Sequence, residues 1–334
     1  MNKKPNSSAV YDIVKNIAVI LVVVAHSTRM YTSYGAFSPV NSAPWLAMLT
    51  EYIYAFHMPL FIFVSGAVYA ICIQRGKYAV KTRFVINKAK RLMIPYAVFG
   101  FFYVAPSMCV MGLTQLSYAQ YCWQGIVLSQ DSRHLWFLWA LFNIFIFAML
   151  MRNWLLGSHK TRMAAMIVSC VVFLLAGYMP GCFQISAACS YQLYFMAGAC
   201  AHFYYDKIVK LITKARYLWI IFPIALAVKF YFGLHVFDWL VDDFTGIWMI
   251  FMAAVLLAHN EKLLCARWFT VLKDYAMGIF LFHPMIIYGC YFLLSSRDIP
   301  PILMSMGTAL FSLILSMLLT KAVRILKLGF LMGE

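Results

Sequence analysis

Lys15 and His26 stand eleven residues apart inside an apolar run from about Tyr11 to Tyr31. On a helix, at about 100° per residue, that spacing leaves them about 20° apart around the axis and about 16 Å apart along it. One face of a greasy segment thus carries a cation near one end and a titratable imidazole near the other. A lysine at mid-helix in a membrane costs about 3 kcal/mol, so such groups turn toward a bundle interior or a wet pathway. An imidazole placed there can take a proton from a hydroxyl and return it. The stripe predicts chemistry or transport across a bilayer.

Three further histidines fall in or at the ends of apolar runs. His57 lies in Phe56-His57-Met58-Pro59-Leu60-Phe61, His134 opens His134-Leu135-Trp136-Phe137-Leu138, and His283 precedes Pro284. A single histidine in a span is more often a packing hydrogen-bonder than a catalyst. Three at similar depth on three spans (His26, His57 and His134) point instead to a shared polar pocket, with His283 near mid-membrane. Pro59 and Pro284 each remove a backbone hydrogen bond and predict kinks. His159, His202, His235 and His259 sit near span ends and need no special role. The basic run Lys88-Ala89-Lys90-Arg91 has two readings. One is a topogenic loop on anionic headgroups. The other is a phosphate site, because Lys88 and Arg91 share a helix face.

The elements that must position these groups follow from composition. The 334 residues are 64% hydrophobic and only 11% charged, with mean hydropathy +0.81. Ordinary soluble domains are about 25% charged. Apolar windows of spanning length recur at 11–31, 47–73, 93–113, 135–156, 163–180, 189–205, 217–235, 244–259, 274–296 and 301–323. The expected fold is all-α: one polytopic transmembrane bundle over 1–334, about ten spans, both termini cytoplasmic. The net charge of +16 is no nucleic-acid footprint, because it is segregated. With the N-terminus inside, only Arg29, Arg133, Lys229 and Arg297 of the 27 Lys and Arg fall outside. The outer segments carry Glu51, Asp131, Asp238, Asp242, Asp243 and Asp298 instead. The first span reads as an uncleaved signal anchor. The basic inner loop is expected over 74–90. Outer stretch 114–134 holds Gln115, Tyr118, Gln120, Tyr121, Trp123 and Gln124, which suit sugar faces and equally a membrane interface. The nine cysteines show no metal-binding spacing, and Cys182 and Cys189, flanking a short outer turn, are read as unpaired thiols that an oxidising compartment would allow to pair.

Taken together, these segments resemble acyltransferase family 3 of integral membrane proteins. The nearest branch is that of bacterial cell-envelope O-acetyltransferases such as fucose 4-O-acetylases. The resemblance rests on Lys15 and His26, on Phe56 to Phe61 followed by Ser65-Gly66, on Arg91 to Tyr96, on His134 to Leu138, and on Gly278 to Pro284. Two positions depart from the pattern: Lys88 stands where the family has arginine, and Phe280 where it has tyrosine.

The resemblance implies transfer of an acyl group, acetyl first, from cytosolic acetyl-CoA to a hydroxyl of an extracytoplasmic sugar of O-antigen, capsule or exopolysaccharide. The acceptor would be an envelope polysaccharide or lipid-linked glycan, in the bacterial inner membrane and among its lipids, with no nucleic acid and no metal. Lys15, Lys88 and Arg91 would hold the CoA phosphates. His26 would act as general base or transient acyl carrier, with His57 beside it, and His134, Trp136 and His283 would bind the acceptor. Ser27, Tyr31 and His57 are candidate donors to the charged intermediate. The competing reading is a secondary transporter or lipid-linked glycan translocator whose proton path is the Lys15–His26 stripe.

Overall fold

A computed structural model describes residues 5–214, 224 and 238–334, and among these the secondary structure is helical with no strand. The longer helices are α1 (Ser7–Thr28), α2 (Pro44–Tyr54), α3 (His57–Gln74), α4 (Lys81–Phe99), α5 (Trp136–Leu150), α6 (His159–Leu174), α7 (Ile185–Phe203), α8 (Asp238–Leu257), α9 (Arg267–Leu294) and α10 (Pro301–Ile325). Among the described residues, six segments are long and apolar enough to cross a membrane: Ser7–Tyr31, Pro44–Gln74, Lys81–Val110, Arg133–Leu150, Arg267–Leu294 and Pro301–Ile325. The chain is a multi-pass membrane protein. The span expected over 217–235, with Lys229 and His235, lies outside the described residues.

α1 is the hub. Asn6 caps it, its side-chain carbonyl accepting the Ser8 amide at 3.0 Å. Helices α2, α3, α8, α9 and α10 all pack around it. An element surrounded on so many sides keeps polar groups away from lipid. Among the described residues the most extensively packed helix pair is α3 with α7, and glycine makes the approach possible. A Cβ on Gly66 would collide with the Phe195 backbone, and one on Gly198 with the Phe63 backbone. Small residues let two membrane helices approach until their backbones touch.

Several boundaries differ from the expectation, each for a physical reason. The second span is not one helix kinked at Pro59. The chain breaks at Ala55–Phe56, and Pro59 falls in the first turn of α3, where its missing N–H costs nothing. The basic stretch expected as a loop over 74–90 is helical from Lys81, so Lys88 and Arg91 sit on α4 itself. Asp242 and Asp243, expected in an outer segment, are buried within α8, where the Tyr194 hydroxyl donates to Asp243. Hydropathy ends a span at an acid, whereas a paired acid can stay inside. All nine cysteines are free thiols, Cys182 and Cys189 included.

Candidate active site

Residues from α1, α3, α4, α5 and α9 enclose one cavity of about 1130 Å³. Lys15, His26, His57, Lys88, Arg91, His134, Trp136 and His283 all line it. Lys15 and His26 share its wall along α1, as their spacing requires. The cavity therefore has a Lys15 end and an Arg133 end, with histidines between.

At the Lys15 end, cations outnumber acids. Lys15, Lys77, Lys88, Arg91 and Lys273 face Asp12, Asp274 and Glu334. Three of these charges are already committed: Lys273 pairs with Asp12 at 3.1 Å, and Glu334 takes the Arg324 guanidinium. Among the described residues Lys15 bonds only the Lys273 carbonyl, at 3.5 Å. Among the described residues no carboxylate forms an ion pair with Lys15, Lys88 or Arg91. The Lys88 ammonium stands over the Phe145 ring at 3.6 Å, with Tyr78 and Phe84 at 5.4 and 5.7 Å. Aromatic faces hold a cation without cancelling its charge. This end can bind a polyanion.

Four imidazoles occupy the middle. The His26 ring lies 5.0 Å from His283, edge to face, and His283 lies 6.2 Å from His134. Tyr54 stands between His26 and His57, at 6.1 and 4.7 Å. The partner nearest His26 is thus His283 rather than His57. Backbone carbonyls fix three of the tautomers. His57 Nδ1 donates to Ile53 at 3.0 Å, His283 Nδ1 to Ile279 at 2.7 Å, and His134 Nε2 to Leu281 at 3.2 Å. A carbonyl accepts only, so each of these nitrogens must carry the proton and its opposite nitrogen a lone pair. His134 Nδ1 and His283 Nε2, on that account lone-pair nitrogens, are buried with no partner. His26 makes no hydrogen bond to any described residue, and its Nδ1 is likewise buried. A base without a resident partner can meet a substrate proton.

Two neighbours were not singled out by sequence. The Tyr54 hydroxyl is buried without a hydrogen-bond partner. Arg29, which caps α1 and opens the 3-10 turn Arg29–Tyr31, lines the same cavity three residues after His26 and lies 5.8 Å from the Tyr54 ring. By contrast, Ser27 and Tyr31 do not reach the cavity. Ser27 Oγ donates to the Ser305 carbonyl at 2.5 Å and sits 2.6 Å from Thr308 Oγ1, while Tyr31 donates to Pro301 at 3.4 Å. Adjacent helical residues differ by about 100° in direction, so a neighbour of His26 faces α10 instead. Both are withdrawn as donors. Of the aromatic stretch 114–134, Tyr118 and Trp123 are exposed on the surface, and only residues 130–134 line the cavity. His159 and His202 bond Tyr204 and Gln74, outside the cavity.

A family model for an acyltransferase domain, that of acyltransferase family 3, matches residues 9–321. The chain belongs to this family. It is also similar to the nodulation protein NolL of Sinorhizobium fredii, with 28% identity over 187 residues, 52% of this chain and 46% of that protein. The chain spans a little under half the length of that curated relative. No solved structure matches it. Acyl transfer suits the cavity's layout, because it needs a site for an activated donor, a base and an acceptor, and the cavity offers a cationic end, imidazole nitrogens without a partner among the described residues, and a further end lined by Gln130, Asp131 and Arg133.

Proposed function

We propose that the protein transfers an acetyl group from acetyl-CoA to a hydroxyl of a cell-envelope sugar, with His26 as general base. The observation that carries this reading is the shared cavity. A cationic end and an unpartnered imidazole lie on one face of α1, separated by about 16 Å of helix. In this reading the bundle has about ten spans with both termini cytoplasmic, in a bacterial inner membrane. The Lys15 end then opens to the cytosol and the Arg133 end to the outside. Lys15, Lys88 and Arg91 hold the CoA phosphates, Arg91 through its fork and the lysines as point charges.

The sugar hydroxyl attacks the thioester carbonyl while His26 takes its proton. The carbon–sulfur bond then breaks, the CoA sulfur leaves, and it receives that proton from His26. Between these steps the carbonyl oxygen is negative. Tyr54 and Arg29 stand where they can stabilise it, in place of Ser27 and Tyr31. His283, with its proton fixed toward Ile279, offers its lone pair to the protonated His26 and holds that ring in place.

The test is purified protein in proteoliposomes with acetyl-labelled CoA and envelope glycan. Label should move to the glycan, and His26→Ala should abolish transfer while leaving the folded yield intact. Normal transfer by His26→Ala overturns the mechanism. Glycan crossing the bilayer without label would favour a translocator.

A further inference from the structure

Among the described residues, four of the six non-glycine residues with left-handed backbone, Ser129, Arg133, Phe183 and Gln184, gather at the Arg133 end of the cavity. Such conformations cost about 1–3 kcal/mol each and persist only where the surroundings enforce them. Here two loops enforce one another. The Phe183 amide donates to the Leu128 carbonyl at 3.0 Å, and the Gln184 side chain donates to the Ser129 carbonyl. Asn143 holds the Phe183 carbonyl from α5 at 2.8 Å. Because Gln184 Nε2 is spent on a carbonyl, its Oε1 is left as an oriented acceptor beside the cavity.

Below this rim lies an aromatic floor. The Trp136 and Tyr191 rings are 5.3 Å apart and tilted by only 36°, and both line the cavity. The rim adds Gln130 and the ion pair of Arg133 with Asp131, 3.3 Å long. That pair leaves the rim close to neutral. Flat aromatic faces suit the C–H face of a sugar ring, and amide and carboxylate oxygens suit its hydroxyls.

We propose that Trp136, Tyr191, Gln184 and Asp131 form a preorganised subsite for an uncharged pyranose. The ring stacks on Trp136 and Tyr191, and its hydroxyls donate to Gln184 Oε1 and the Asp131 carboxylate. This subsite rests on the acyl-transfer reading above and specifies its acceptor. Rigid loops rather than a closing lid select the hydroxyl presented to His26, since binding then costs little ordering.

The experiment uses the full chain in nanodiscs, labelled acetyl-CoA, and octyl glucoside, octyl galactoside and octyl glucuronide as acceptors. A neutral octyl glycoside should be acetylated in preference to the glucuronide. Trp136→Leu and Tyr191→Leu should each raise the acceptor KM about tenfold, a tenfold change corresponding to about 1.4 kcal/mol. Their acetyl-CoA KM should move less than twofold, and Trp136→Phe should restore the acceptor KM to within threefold of the original. Gln184→Leu should act similarly, but it also unties two loops, so the floor variants decide the matter. Unchanged acceptor KM in both floor variants, or preference for the glucuronide, overturns the subsite. So does acetyl-CoA hydrolysis with transfer to none of these glycosides, which leaves the donor reading standing. Absence of any acetyl-CoA turnover would instead sink the acyl-transfer reading itself.

Discussion

Replacing Tyr54 with phenylalanine separates a catalytic hydroxyl from a structural one, because the two roles move stability in opposite directions. In the resting protein the Tyr54 hydroxyl is buried and makes no well-formed hydrogen bond to the described residues, although the Arg29 guanidinium lies beside it. A buried, unsatisfied polar group costs about 1–3 kcal/mol. Tyr54→Phe should therefore leave thermal stability unchanged or raise it by about 1 kcal/mol. The ring stays to pack against His26 and His57, at 6.1 and 4.7 Å. If the hydroxyl donates to the oxyanion, its loss removes one donor of the kind worth about a hundred- to a thousandfold in kcat. The assay measures kcat for transfer from labelled acetyl-CoA in proteoliposomes alongside thermal unfolding of the same preparation. Tyr103→Phe is the contrast, because that hydroxyl donates to the Phe282 carbonyl at 3.0 Å and its loss should lower stability. A Tyr54→Phe protein with kcat within threefold of the parent refutes the oxyanion role. One that loses kcat and stability together shows that the hydroxyl holds the fold.

Two further outcomes follow from the packing. Ser27→Ala breaks the α1–α10 bonds to Ser305 and Thr308, so unfolding should come about 1 kcal/mol earlier while kcat stays within threefold. A hundredfold loss of kcat would return Ser27 to the reaction. Gly198→Leu forces a side chain into the Phe63 backbone, and the protein should fail to give a monodisperse peak on size-exclusion chromatography. A well-folded variant would mean that the α3–α7 approach is not what holds these helices.

What was legible in the sequence is what a single helix encodes. Lys15 and His26 meet the same cavity because eleven residues bring a helix back to nearly the same direction. His57, His134 and His283 were legible because an imidazole among apolar residues must find polar company. What depends on chain breaks was not. In an unbroken second span Tyr54 reads as one more aromatic near an interface, but the break at Ala55–Phe56 sets it between His26 and His57. Arg29 counted only as an outer charge, although it lies one turn from His26 on the same stripe. That i, i+3 spacing was the available signal. Gln184 and Phe183 adopt a backbone that sequence assigns to glycine, so nothing local marks their turn. Asp242 and Asp243 stay inside a helix because a tyrosine from α7 meets Asp243, a contact between distant segments.

Two of the histidines owe their orientation to backbone carbonyls of α9. Pro284 supplies no N–H to the α9 ladder, which frees the Phe280 carbonyl, and other carbonyls of the same stretch use their second lone pair to accept bonds from side chains. Ile279 accepts from His283, Leu281 from His134, Phe282 from Tyr103 and His283 from Ser312. Two of those four donors are the imidazoles themselves. These carbonyls commit one nitrogen of each ring to donation and leave the other as an acceptor with no partner among the described residues. A cavity assembled in this way presents bases rather than acids. That is the polarity a hydroxyl nucleophile requires, since its proton must leave as it attacks. The α9 carbonyls at Ile279 and Leu281 therefore fix the proton positions on two of the rings around His26.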